Sequence, residues 1–245
     1  IIHVGLDQKR SPQRGASHQS SIMNNMRITA LVPIRHHSQR VPGKNYRPLA
    51  GKPLFHHVIT SLLACSEINQ VVVDTDSPPV MEGLHQHFPS VKILERPASL
   101  RADTISMNEI LTYDTSQVEA DLYLQTHTTN PLLRPATISR AIQALLANYP
   151  AYDSLFSVTR LQTRLWDQLG RPINHNPAIL LQTQDLPPVF EENSCLYIFS
   201  RQTLLVRRNR LGERPLMFEI DAAEAWDIDE ELDFAITDFL LSSGS

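Results

Sequence analysis

The chain has 245 residues, 42% hydrophobic and 20% charged, a globular composition with room for one sizeable core. A formal net charge of −4 argues against a nucleic-acid-binding protein, a class that carries a basic balance or a concentrated basic face. No run of about 18 apolar residues occurs, so no membrane span is expected. Cys65 and Cys195 lie in apolar surroundings without CxxC or CxH spacing, and read as core thiols of a reducing compartment, the cytoplasm.

Residues 1–26 are polar, lack the apolar stretch of a signal peptide and contain Met23 and Met26, so they read as a disordered leader before a domain spanning 27–245. Within that domain, apolar strand patterns alternate with helical ones. Residues 28–34 (ITALVPI) predict a buried strand, and 53–65 a helix with proline at a tolerated first position. Strands follow at 70–74, 91–95, 120–126 and 154–160, separated by helices at 78–88, 103–117 and 135–149. This rhythm defines βαβ units and a mostly parallel sheet, hence a single Rossmann-like three-layer α/β domain. The rhythm breaks over 161–188, rich in proline and asparagine, which reads as a hairpin or arm projecting from the sheet. Strands resume at 195–200 and 215–220. A last amphipathic helix carries Ile228, Leu232, Ala235, Ile236, Phe239 and Leu240 at three- and four-residue spacing.

The loop after the first strand, RHHSQRVPGKNYRPLAGKP, crowds Arg35, Arg40, Lys44, Arg47 and Lys52 among Ser38 and Asn45. Open parallel sheets bind ligands at the carboxyl ends of their strands, where this loop lies. Tight-loop amides, guanidinium and ammonium groups and hydroxyl or amide donors together suit a triphosphate. GxxxxGK[ST] and GxGxxG are both absent, so neither a Walker A loop nor a dinucleotide fingerprint is present. A solvated basic loop is the alternative.

Near the other end, WDIDEELDF places Asp227 and Asp229 two residues apart. On an extended segment both carboxylates point the same way, and such a pair suits Mg²⁺ shared with substrate phosphates. The competing reading makes them acids complementing a helix N-terminus, as Asp233 does. His56, His57, His85 and His87 lack the spacing of a metal site, and Trp166 and Trp226 read as packing anchors.

The basic loop resembles the N-terminal signature of the acylneuraminate cytidylyltransferases, the CMP-sialic acid synthetases and their relatives: R-G-G-S-K-x-x-P-x-K-N, then R-x-L-x-G-K-P-L. The match runs without gaps through Arg35, Ser38, Pro42, Lys44, Asn45, Leu49, Gly51, Lys52, Pro53 and Leu54. ERPASLRADTIS, LQTHTTNPLLR, EENSCLYIF and WDIDEELDF resemble later segments of the same family, so the likeness covers about 28–242. It implies transfer of CMP from CTP to a 2-keto sugar acid, sialic acid or a related nonulosonate, with release of pyrophosphate. Carried over position by position, Arg35, Ser38, Lys44 and Asn45 would bind nucleotide, Arg96 and Ser106 would complete that pocket, and Gln125 would help hold the sugar acid. Asp227 and Asp229 would carry Mg²⁺, and Arg35 and Lys44 would serve the reaction itself. A homodimer formed through the arm is implied as well. The chain departs from the pattern at His36-His37, where the family has two glycines, and at Gln39, where it has lysine; Arg40 offers charge one position along. The alternatives are another sugar nucleotidyltransferase on the same fold, and a nucleotide-binding homologue without catalysis.

Overall fold

The computed structural model describes residues 26–38 and 40–243; the expected leader falls outside this range except for Met26, and so does Gln39. Among the described residues, nine strands and six α-helices follow in order: β1 (Ile28–Ile34), β2 (Pro48–Leu49), β3 (Lys52–Pro53), α1 (Leu54–Leu63), β4 (Gln70–Thr75), α2 (Pro78–His87), β5 (Lys92–Glu95), α3 (Met107–Gln117), β6 (Leu122–Gln125), α4 (Pro135–Asn148), β7 (Ser154–Leu161), β8 (Val189–Phe199), α5 (Arg201–Arg207), β9 (Pro215–Glu219) and α6 (Glu231–Ser243). Seven strands form one sheet in the order β5-β4-β1-β6-β8-β7-β9. The first four are parallel, β8 runs antiparallel to β6 and β7, and β9 is parallel to β7.

β1 is buried along its whole length, as expected of a parallel strand covered on both faces. Ile28, Ala30, Val32 and Ile34 face a core completed by Phe55, Ile59 and Leu62 of α1, Val80 and Leu84 of α2, and Ile138, Ile142 and Leu145 of α4. Leu31 faces the opposite layer, where Leu111 of α3 and Leu204 of α5 pack with Val72, Tyr123, Tyr197 and Phe199. These are the three layers that the alternating pattern implies. Burying a Leu, Ile, Val or Phe side chain contributes roughly 1.5–3 kcal/mol, so the two faces of β1 anchor the sheet.

The differences from expectation are local. α3 begins at Met107 rather than 103, because Ser106 caps it: Ser106 Oγ accepts from Glu109 N, and Glu109 Oε2 accepts in return from Ser106 N (2.9 Å). The arm over 161–188 holds one isolated bridge, Trp166 with Pro172, and a 3-10 turn at Thr183–Asp185. Trp166 is half exposed on it and is no packing anchor. α6 buries Phe234 and Thr237, whereas Leu232, Phe239 and Leu240 of the expected inward stripe are exposed. The reason lies in what the helix meets. Phe234 joins Val41, Leu49, Leu54 and Ile228 in a small third cluster that clamps the helix onto the basic loop.

Candidate active site

The loop leaving β1 is shaped by its own residues. Gly43 adopts φ 66°, and a Cβ there would meet the Tyr46 ring at 2.9 Å, so the turn requires glycine. Tyr46 stacks in turn on His36 (5.6 Å between centroids). His36 also donates its backbone N–H to Asp76 and shares a hydrogen bond with Ser77 Oγ (2.9 Å) through Nδ1. The His36 ring is thereby turned toward the β4 side, and a side chain at the first glycine position of the family pattern does not fill the cleft.

That cleft, of about 270 Å³, is lined by Arg35, Arg40, Lys44, Asn45, Arg96 and Asp229 on its polar side. Its apolar side comes from Pro33, Leu100, Ile105, Met107 and Ile110. Arg35 pairs with Asp103 (2.7 Å) and Arg40 with Asp229 (2.5 Å), both across half-exposed side chains. Exposed pairs of this kind hold by about 0–1 kcal/mol, so an incoming anion or cation can exchange with them. Lys44 Nζ donates to Ile228 O (2.6 Å). Burial pulls the Lys44 ammonium below its ordinary range, against the upward pull of Asp227 and Asp229. Asn45 acts as a brace: its Nδ2 donates to Arg35 O (2.9 Å) and its Oδ1 accepts from Thr128 Oγ1 (2.6 Å), tying the basic loop to the loop after β6. Ser38 stands half-buried on the loop but outside the cleft lining.

The acidic pair is placed by the residue between them. Ile228 is fully buried in the third cluster, and its N–H donates to Thr129 O (2.9 Å). Its neighbours Asp227 and Asp229 line a common hollow. Burial, and then the charge of Asp229, push Asp227 up, while a hydrogen bond from Thr129 pulls it down. A buried carboxylate raised by a second carboxylate is a site that a divalent cation relieves, and the oxygen-only donor set fits Mg²⁺ completed by water and phosphate. Asp233 does otherwise: its Oδ2 accepts from the N–H groups of Asp229 and Glu230 and caps α6. Among the described residues no group of three or more His, Cys, Asp or Glu is placed to hold a metal, so the pair would need ligands from substrate and water.

The remaining expected residues separate. Arg96 lies in the cleft wall, nearly fully buried against Asp74. Ser106 is not in the cleft; it faces a separate surface hollow with Asn108, Leu204 and Arg208 and serves as the α3 cap. Gln125 is fully buried at the end of β6, with its Nε2 3.0 Å from His127 Nε2 and its Oε1 accepting from Arg210 Nη1 (2.5 Å). Arg210 in turn lies 3.4 Å over the Tyr197 ring.

Asp229 also lines a second hollow, of about 530 Å³, with Asp227, Trp226, Thr159, Glu191, Glu192, Asn193 and Ser194. A β-bulge between Phe156 and Val158 shapes it. Ser157 Oγ donates to Asn193 Oδ1 (2.6 Å), Asn193 Nδ2 to Thr159 Oγ1 (2.9 Å), and Ser194 takes φ 59°. The carboxylate pair therefore sits where a basic cleft meets a polar, acidic one. Sequence reasoning missed Thr128, Thr129, His127 and the Glu192–Ser194 group, although LQTHTTNPLLR and EENSCLYIF contain them. Burial, with Arg210 and Lys44 nearby, holds His127 down at about 4.

A mostly parallel sheet with a basic loop at the carboxyl end of its first strand and an acidic pair opposite is the arrangement of a nucleotidyltransferase. Residues 29–242 match the family described as cytidylyltransferase, and the chain belongs to that family. Among curated relatives, CMP-N,N'-diacetyllegionaminic acid synthase of Legionella pneumophila is 29% identical over 88% of this chain and 97% of its own length. N-acylneuraminate cytidylyltransferase A of Danio rerio is 27% identical over 86% of this chain, which spans 50% of that protein. In fold the chain resembles CMP:2-keto-3-deoxy-manno-octonic acid synthetase in complex with CTP, with a TM-score of 0.69 at 19% identity over 89% of this chain and all of the other.

Proposed function

We propose that the protein transfers CMP from CTP to the anomeric hydroxyl of a 2-keto sugar acid, a nonulosonate or its relative, releasing pyrophosphate. The observation that carries this reading is that Asp229 lines both hollows, the basic cleft suited to phosphates and the polar hollow beside it. The names of the relatives supply the substrate class. In this reading the apolar strip from Leu100 to Ile110 seats the cytosine, while Arg35, Arg40, Lys44 and Arg96 neutralise the triphosphate, with Asn45 fixing the loop. The sugar acid occupies the second hollow; Gln125, fully buried and bonded to Arg210, lines neither hollow. The acceptor hydroxyl gives up its proton to solvent as its oxygen attacks the α-phosphorus in line, the bond to the β-phosphate bridging oxygen breaks, and pyrophosphate leaves with its charge matched by the basic loop. Asp227 and Asp229 would hold Mg²⁺, whose chemistry is to neutralise charge developing at the α-phosphate. No nucleophilic side chain is needed.

We further propose a homodimer formed through the arm, supported by the exposure of Leu169, Ile173, Ile179 and Leu180 along it. A cytoplasmic location is supported by two buried, unpaired cysteines. No helix among the described residues is long and apolar enough to cross a membrane.

The test is pyrophosphate release with CTP, Mg²⁺ and a panel of sialic, legionaminic, pseudaminic and 3-deoxy-octulosonic acids. Turnover is expected with one acid, and Asp229→Ala should lower kcat on the order of 10²-fold or more, as loss of a preorganised transition-state contact does. Stabilisation by UTP or GTP instead of CTP would move the assignment to another sugar nucleotidyltransferase. CTP binding without release for any acid would leave a homologue that binds and does not turn over.

A further inference from the structure

Behind the nucleotide cleft lies a buried carboxyl group that the reaction as described does not use. The inward face of α3 is Ile110, Leu111, Asp114 and Thr115, so an ionisable side chain stands where helical spacing calls for an apolar one. Asp114 is 1% exposed, Asp74 at the end of β4 also 1%, and Arg96 3%. Arg96 Nε donates to Asp74 Oδ1 in a short contact, and Nη2 donates to Asp74 O (3.4 Å). Asp74 Oδ2 and both Asp114 oxygens are buried with no other hydrogen-bond partner, and the two carboxyl side chains lie within hydrogen-bonding reach of each other.

Two carboxylates and one guanidinium in this space would leave a net buried charge, a state that proteins avoid by binding a proton. The charged groups facing Asp114 are Asp74 and Arg96. Burial first, and then the charge of Asp74, push Asp114 up to about 9, which makes it the group that keeps the proton. Asp74 is fixed on one side by Arg96.

We infer that Asp114 is a positioning residue: a neutral acid whose O–H donates to Asp74 Oδ2, so that Asp74 holds the Arg96 guanidinium in one orientation in the cleft wall. The inference rests on the reading of that cleft as the nucleotide site. Without the donor, Asp74 carries an unsatisfied buried oxygen, the carboxylate is free to turn, and Arg96 loses its fixed edge. An amide at 114 keeps a donor of the same shape; an alkyl side chain does not.

The experiment measures CTP affinity by titration calorimetry for the wild type, Asp114→Asn, Asp114→Leu, Arg96→Gln and the double variant Arg96→Gln/Asp114→Leu, together with KM for the sugar acid. Asp114→Leu is expected to weaken CTP binding about tenfold, the effect of leaving one buried polar group unpaired. Asp114→Asn should stay within about twofold of the wild type, and Asp114→Leu should add little in the Arg96→Gln background, as coupled residues do. The sugar-acid KM should not move. Unchanged CTP affinity in Asp114→Leu, or additive losses in the double variant, would overturn the inference. Should Arg96→Gln bind CTP as the wild type does, the nucleotide reading of this wall fails, and the positioning role falls with it. Infrared difference spectra of the wild type against Asp114→Asn give a readout that does not depend on the leucine variant folding. A protonated-carboxyl stretch at neutral pH supports the assignment, and an ionised Asp114 sinks it.

Discussion

Ser106 and Asp229 are both polar side chains in segments that resemble the family pattern, yet they do different work. Ser106 exchanges hydrogen bonds with Glu109 at the head of α3, which is a capping role and a local one. Replacing Ser106 by alanine should therefore cost about 1 kcal/mol of stability, as cap removal does. The KM for CTP should stay unchanged; urea unfolding and steady-state kinetics on the same preparation separate the two effects. A large rise in KM would return Ser106 to the nucleotide pocket. Asp229 makes an exposed pair with Arg40, so its alanine variant should fold normally while losing turnover. The capping role was legible in the sequence, since serine followed three residues later by glutamate is a capping box. The family likeness implied a place in the nucleotide pocket, and the KM measurement tests that.

At the scale of elements, the basic loop and α6 form one unit. Arg47 lies 4.1 Å from the Phe234 ring centroid and pairs with Glu231 (2.7 Å), and Ala50 N donates to Asp238 Oδ1 (2.6 Å). Phe234→Ala should cost about 3–5 kcal/mol, the usual range for emptying a buried aromatic site. It should also raise the KM for CTP, because the cluster that holds Val41 and Leu49 also holds the loop; a variant that is destabilised with unchanged KM would uncouple them. The strand–helix alternation was readable because each element's apolar period is a local property. The orientation of α6 was not readable. Leu232, Phe239 and Leu240 have the spacing of a core stripe, but a short surface cluster around Ile228 outcompetes it, and that contact joins residues nearly two hundred positions apart. The pairing of Asp74 with Asp114 is hidden for the same reason. The basic loop announced itself because its charges are consecutive in sequence.

For the whole molecule, two histidines held below their ordinary range make stability fall in acid. His56 is held down at about 4, against an ordinary 6.5, by burial and by His87 and Lys52. His127 is held at about 4 for similar reasons. Below 6.5 the unfolded chain takes up protons that the folded chain refuses until about 4. Their contribution is thus complete above 6.5, lost as pH falls from 6.5 toward 4, and flat below that. The urea midpoint should fall between neutral pH and about pH 5, and by less in His56→Leu. An equal fall in both would assign the acid sensitivity to other groups.

The two hollows are built from different stretches of chain: residues 33–45, 96–110 and 127–129 for one, and 159–161, 191–194 and 222–233 for the other, with Asp229 in common. The arm is inserted between the two strands that supply half of the second set. A gene segment encoding 159–194 carries half of that lining in one stretch. Grafting it from a relative with another acceptor should change which sugar acid is used while leaving the handling of CTP with the recipient. Selection acting on acceptor choice and selection acting on nucleotide use can then proceed on separate exchangeable pieces of the same chain.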